Sequence, residues 1–136
     1  MDSALSKYIK PDYNAIFFRI VENGDIEALT ELLDHHLSKI DLEFKNHEGT
    51  TPFVLACENN HTDIVEILLK AGCNKNHKDT CEDTPLIRAC INGYTDLVKI
   101  LLKAGCDKEV QNSCGQTALG YAIERDFKEI IDLLLT

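Results

Sequence analysis

The chain has 136 residues, a formal net charge of −9 from 14 basic and 23 acidic side chains, and a hydrophobic content of 44%. That length is one domain's worth of chain with room for a buried core, and the ordinary hydrophobic content excludes a disordered polymer. The acidity disfavours nucleic-acid backbones and anionic lipid; it either favours a basic protein partner or simply keeps the chain soluble.

The first residues read MDSALSKYIKPDY and contain no apolar core of a secretory leader. No apolar run approaches the length of a membrane span. These features predict a cytoplasmic protein, with a nuclear one also allowed, and reduced thiols. Residues 1–12 are set apart as an N-terminal segment, and residues 7–13 are expected to pack on the first structural unit. Met1 is read as a natural start.

From residue 13 the chain repeats itself. Residues 46–78 align with 79–111 at a shift of 33 and match at 16 of 33 positions, including Thr51-Pro52 with Thr84-Pro85 and Leu68 to Cys73 with Leu101 to Cys106. A fixed period of this length signals stacked copies of one supersecondary unit, each burying its apolar face on its neighbour. The first copy, 13–45, is weaker. Asn23-Gly24-Asp25 aligns with Asn59-Asn60-His61 and Leu32-Leu33 with Leu68-Leu69, but at a shift of 36. The spacing predicts a loop over 34–45 with about three extra residues, holding His35, His36, Leu37 and Ile40. A degenerate first copy is expected of a capping unit.

In the second copy Thr51 is placed to cap a helix and Pro52 suits its first position, where a missing N–H costs nothing. Phe53, Ala56 and Cys57 form an apolar stripe at i, i+3 and i+4. Asn59-Asn60 ends this short helix. A second helix begins near Thr62 with Ile64, Val65, Leu68 and Leu69 on its buried side, and Gly72 stops it. A polar stretch then leads on as a hairpin-like loop. The third copy repeats this grammar from Thr84-Pro85 to Gly105. The fourth, 112–136, keeps Gly115, Thr117, Leu119, Ala122, Ile130-Ile131 and Leu133 to Leu135. Its last helix, over 128–136, keeps every apolar position and stops without a closing glycine. This predicts a fragment of a longer array or an end that pairs with something.

The six cysteines follow the same register: Cys57 and Cys90, Cys73 and Cys106, Cys81 and Cys114 are each 33 apart. Equivalent positions in adjacent copies lie about 8–10 Å apart, too far for a disulfide at about 7 Å or a shared zinc. Phosphate-loop, HExxH, CxxC and GxSxG motifs are absent. His77 and Cys81 have i,i+4 spacing but supply only two of four zinc ligands. No cationic neighbour in sequence activates Cys81 or Cys114. Neither a metal nor any other cofactor is expected.

Thr51-Pro52-Phe53 with Ala56, Asn60-His61, Ile64-Val65, Leu68-Leu69 and Ala71-Gly72 resembles the ankyrin repeat, and the likeness spans residues 13–136 in four copies. The resemblance implies an all-α fold, a curved solenoid of stacked helix-turn-helix units with projecting hairpin loops. It implies no enzyme but a scaffold that binds another protein on the concave face of hairpin tips and first helices. On this chain the tips are His47, Glu48 and Thr50; Lys78, Thr80, Cys81 and Asp83; and Gln111, Ser113, Cys114 and Gln116. The first-helix positions are Glu22-Asn23, Glu58-Asn59, Ile91-Asn92 and Glu124-Arg125. Acidic residues outnumber basic ones there, so the partner is expected to carry a basic segment. Ile91 is either an apolar anchor or packs against Cys57 or a neighbouring helix. The family's asparagine hydroxylation maps to Asn76.

Some positions depart from the family pattern. The usual histidine after Thr-Pro-Leu is Val54, Ile87 and Gly120, so its hydrogen bonds are expected to be missing. Glu82 replaces the hairpin glycine, so that turn must adapt, and Ala118 replaces the helix-starting proline. Two further readings stand beside the scaffold: the regulatory or targeting arm of a larger enzyme or channel, and a metal- or redox-responsive switch built on His77, Cys81 and Cys114. The chain is expected to be monomeric or to self-associate weakly through its open C-terminal end.

Overall fold

A computed structural model describes residues 12–136; the expected N-terminal segment up to residue 11 lies outside the described residues. Among those described there are eight α-helices and no strand. They are α1 Tyr13–Asn23, α2 Ile26–His36, α3 Pro52–Glu58, α4 Thr62–Lys70, α5 Pro85–Asn92, α6 Thr95–Lys103, α7 Ala118–Glu124 and α8 Lys128–Leu135. The fold is all-α, as the repeat predicts. None of these helices is long and apolar enough to cross a membrane.

Five of the eight described helices start on a side-chain cap. Asp12 and Asp25 cap α1 and α2 through carboxylate oxygens that accept from Ala15 N and Ala28 N at 3.1 and 3.0 Å. The hydroxyls of Thr51, Thr84 and Thr117 accept from Val54 N, Ile87 N and Gly120 N at 3.3, 3.2 and 3.1 Å. Pro52 and Pro85 follow the first two threonines. Ala118 starts α7 in the same place, so the threonine cap rather than the proline sets the register.

The helix pairs turn on left-handed residues: Gly24, Asn60, Gly93 and Asp126 have φ of 69, 57, 73 and 59°. At the far ends Gly72 and Gly105 stop α4 and α6, and the next amides close the turn, Cys73 N on Leu68 O at 3.2 Å and Cys106 N on Leu101 O at 3.1 Å. In the first copy His36 stands at the position of Gly72. With no glycine to enter the left-handed region, α2 runs on to His36 and leaves through a 3-10 turn at Leu37–Lys39. The expected loop over 34–45 is therefore partly helix. Tyr13 stacks on His36 with ring centroids 5.0 Å apart.

The chain divides into two compact units, one up to Cys73 and one from Asn74 to Thr136. In the first, α1 packs on α2 and α3, and α2 and α3 each pack on α4. Phe17, Ile20, Leu29, Leu32, Phe53, Ile64 and Leu68 are fully buried there; removing one such aromatic, as in Phe17→Ala, costs about 3–5 kcal/mol. In the second, α5 packs on α6 and α7, and α8 on α6 and α7, over Leu86, Ile87, Leu97, Leu101 and Ile130.

One contact recurs in both units. The His61 ring lies on the backbone of Gly24, where a Cβ would stand 3.2 Å from its Cε1. The Phe127 ring lies on Gly93, where a Cβ would stand 2.9 Å from its Cζ. The residue opening the second helix of one copy thus seats on the turn of the copy before it.

Candidate functional site

Three hairpins project from the helices, and each is built by its own first residue. Asn46 N, Asp79 N and Asn112 N donate to the carbonyls of Thr50, Asp83 and Gln116, all at 3.0 Å. The side-chain oxygen of the same residue accepts two amides of its own turn: Glu48 N and Thr50 N on Asn46, Cys81 N and Asp83 N on Asp79, Cys114 N and Gln116 N on Asn112, at 2.8–3.0 Å. A short polar side chain that mimics a backbone carbonyl fixes a turn without help from a sheet. The tips are therefore held before any partner arrives.

Glu82 occupies the turn position of Gly49 and Gly115, and it does so at φ 61° beside their 79 and 74°. Its amide makes the same bond, to Asp79 O at 2.9 Å, that Gly49 and Gly115 make to Asn46 and Asn112. The turn does not adapt; the glutamate takes the glycine conformation.

The second and third hairpins are tied together. Ser113 N and its hydroxyl donate to Cys81 O at 3.1 and 3.0 Å. Asn112 Nδ2 donates to Asp83 Oδ1 at 2.8 Å and to the Tyr121 hydroxyl at 2.9 Å. Arg88 completes the group, 3.5 Å from the other Asp83 oxygen. Cross-hairpin hydrogen bonds thus exist although Ile87 and Gly120 stand where the expected histidines are missing. The sequence did not single out Asn112, Arg88 or Tyr121, although an Asn or Asp opening each hairpin at the 33-residue period was a visible signal.

The predicted surface residues fall into three groups. Glu22, Asn23, His47, Glu48, Glu58, Asn59, Lys78, Thr80, Cys81, Asn92, Gln111, Ser113, Cys114, Glu124 and Arg125 are exposed. Thr50, Ile91 and Gln116 are half-buried. Asp83 is only 5% exposed; its carboxylate is spent on Asn112 and Arg88, so it is a structural residue and not a tip residue. In the first unit, Glu22-Asn23 and Glu58-Asn59 close α1 and α3, which pack together. In the second, Ile91-Asn92 and Glu124-Arg125 close α5 and α7, which also pack together. Asn76 is exposed, and its side-chain oxygen accepts from Asp107 N at 3.4 Å.

The cysteines keep their register. All six are free. Burial pushes the Cys73 and Cys90 thiols up to about 12, with the Glu43 carboxylate adding to Cys73. Burial also raises Cys106, to about 11 against the opposing Lys75 charge. Cys81 and Cys114 are exposed. Ligand atoms of Asp79, Cys81 and Asp83 lie within 4.8 Å of one another, but the two carboxylates already serve the hairpin bonds above, and the Arg88 cation stands beside Asp83.

The 33-residue period, the threonine caps, the left-handed turns and the paired helices are all now in place. A family model described as ankyrin repeats, three copies, matches residues 7–79 and 71–136. The chain belongs to the ankyrin-repeat family. Over 74 residues, 54% of the chain, it is 31% identical to a human protein described as NAD-capped RNA hydrolase NUDT12, and the match covers 16% of that protein. Ankyrin repeats generally mediate protein–protein interaction and are typically non-catalytic.

Proposed function

We propose that this ankyrin-repeat chain is a non-catalytic adaptor that holds a partner protein against its hairpin tips and first-helix ends, and that the partner presents a basic segment. The carrying observation is the bonding of the hairpins: exposed side chains such as His47, Glu48 and Thr80 stand on turns locked by Asn46 and Asp79, so little ordering remains to oppose association. Among the proposed contact residues Glu22, Glu48, Glu58 and Glu124 outnumber Lys78 and Arg125, which favours Lys and Arg in the partner and speeds encounter. Ile91, half-buried at the end of α5, offers the apolar contact. The sequence features favour a cytoplasmic setting.

The test is partner capture by wild type beside Glu48→Lys and Glu58→Lys. The expected result is binding weakened at least tenfold with the melting temperature nearly unchanged. Binding unchanged by both charge reversals would overturn the acidic-surface reading.

A second reading is that the repeats serve as the targeting or regulatory arm of a larger enzyme. It is favoured by the likeness to NUDT12, which is confined to a 16% share of a protein described as a hydrolase. Reading the native transcript past the Thr136 codon tests it: a catalytic domain in frame supports it and an immediate stop codon removes it.

A further inference from the structure

The first copy carries an aromatic pair that the other copies lack. The rings of Phe18, on α1, and Phe44 meet edge to face, with centroids 6.0 Å apart and planes at 70°. In the repeat register Phe18 aligns with Val54, Ile87 and Gly120, and Phe44 with His77 and Val110. Smaller side chains thus serve the fold at these positions elsewhere in the chain, and packing alone does not call for two rings. Packing does not hide them either: Phe18 is half-buried and Phe44 is 38% exposed. The corner they form is held in place. Asn14, one helical turn before Phe18, accepts Asp41 N at 2.8 Å on its side-chain oxygen. Asp41 accepts Glu43 N at 2.9 Å on its carboxylate and Phe44 N at 3.0 Å on its carbonyl. The turn that carries Phe44 is therefore bonded to the helix that carries Phe18.

We propose that the Phe18–Phe44 corner seats an arginine side chain of the partner. The proposal rests on the reading of a partner with a basic segment and names the contact that segment makes. A ring face attracts a cation through its quadrupole. A guanidinium, planar and weakly hydrated, stacks on such a face while its N–H groups stay free to donate to a carboxylate. Carboxylates stand beside the corner: exposed Glu22 lies one turn after Phe18 on the same face of α1, and exposed Asp41 and Glu43 precede Phe44. Arg19 and Lys45 are the basic neighbours in sequence, so the acidic groups outnumber them and the balance favours a cation. The same copy already uses this contact within the chain, where Lys39 Nζ lies 5.2 Å from the centre of the Tyr13 ring.

Titration of the full chain with hexaarginine amide, followed by NMR, tests it. The ring resonances of Phe18 and Phe44 are expected to shift saturably, and hexalysine amide is expected to bind at least threefold more weakly. Phe44→Leu removes the ring but keeps an aliphatic side chain, as Val110 does at the aligned position; it should weaken hexaarginine binding about three- to tenfold while the far-UV circular dichroism is retained. Phe18→Leu should act in the same direction. Glu48→Lys separates the corner from the wider acidic surface. Binding weakened by Glu48→Lys and by neither leucine substitution overturns the corner and leaves the acidic-surface reading standing. Binding weakened by the leucine substitutions and not by Glu48→Lys supports the corner and overturns the acidic-surface reading. Ring resonances that do not move, or hexalysine bound as tightly as hexaarginine, overturn the proposal.

Discussion

Asn112 Nδ2 donates to the Asp83 carboxylate across 29 residues of sequence, at 2.8 Å. All four hydrogen-bonding sites of the Asn112 amide are used, two donors on Asp83 and Tyr121 and two acceptor bonds from Cys114 N and Gln116 N. The asparagine is 8% exposed, and a polar group buried that deeply is tolerated only when satisfied to this degree. It both shapes its own hairpin and neutralises part of the cost of burying Asp83.

Asn112→Ala removes these bonds at once and leaves the Asp83 carboxylate to Arg88 alone, across 3.5 Å. The expected loss is about 2–4 kcal/mol, from the uncompensated carboxylate and the loosened turn. Asp83→Lys should be at least as damaging, since it sets a cation beside Arg88. Glu58→Lys, on an exposed residue, should fall within about 0.5 kcal/mol of wild type. Urea unfolding midpoints of the three variants check the order; an Asp83→Lys chain as stable as Glu58→Lys would show that Asp83 is not structural.

Glu82 is the residue whose conformation argues most plainly for a stabilising change. A left-handed backbone costs an ordinary L-residue about 1–2 kcal/mol that glycine does not incur, although glycine has more chain entropy to lose on folding. Glu82→Gly is therefore expected to raise stability by about 0.5–1 kcal/mol. Its ion-pair partner Lys78, at 3.8 Å, is half-exposed like Glu82 itself, and such a pair contributes little. Thermal melts compare it with Gly115→Glu, which should lose a similar amount.

Period and capping made the helices legible: Thr51, Thr84 and Thr117 marked the starts, and Asn60 the turn of the second copy, because those properties belong to a residue and its near neighbours. Asp83 was misplaced because its fate is set by Asn112 and Arg88, and no local pattern tells a loop carboxylate at a tip from one folded inward. The long α2 was hidden for the opposite reason. The absence of a glycine at His36 was visible, but whether the helix would continue or fray depends on contacts such as the Tyr13 stack. Of the candidate surface, the positions of the tips were readable from the register, whereas the lock on each tip needed the hairpin bonds.

Two stop or turn glycines should respond differently to the same substitution. Gly72 has φ 91° with no atom within 4 Å of an added Cβ, so Gly72→Ala incurs only the backbone cost, about 1 kcal/mol. Gly93 has φ 73° and its Cβ would stand 2.9 Å from Phe127 Cζ and 3.2 Å from both ring Cε atoms. Gly93→Ala must also push that ring aside, so a loss of about 2–4 kcal/mol is expected. Phe127→Leu should recover part of the second cost in the double variant and none of the first in Gly72→Ala. Equal losses at the two glycines would mean that the Phe127 ring yields freely.

The thiols give the last prediction. A thiolate, not a thiol, attacks an alkylating reagent. Cys73 and Cys90 are held protonated to about 12 and Cys106 to about 11, against an ordinary 9.0, and Cys57 is buried. Iodoacetamide near pH 8 should therefore label Cys81 and Cys114 first, giving two adducts by mass spectrometry in the native chain and six after denaturation. The same raised values carry a pH dependence. Between pH 9 and 11–12 the unfolded chain releases thiol protons that the folded chain keeps, so the folded state binds more protons there. Stability is then fully present below about pH 9 and falls as pH rises through that window. The triple variant Cys73→Ala, Cys90→Ala, Cys106→Ala should show a shallower decline in urea midpoint between pH 8.5 and 10.5 than wild type. An identical slope in both chains would mean that these three thiols titrate alike in the folded and unfolded states.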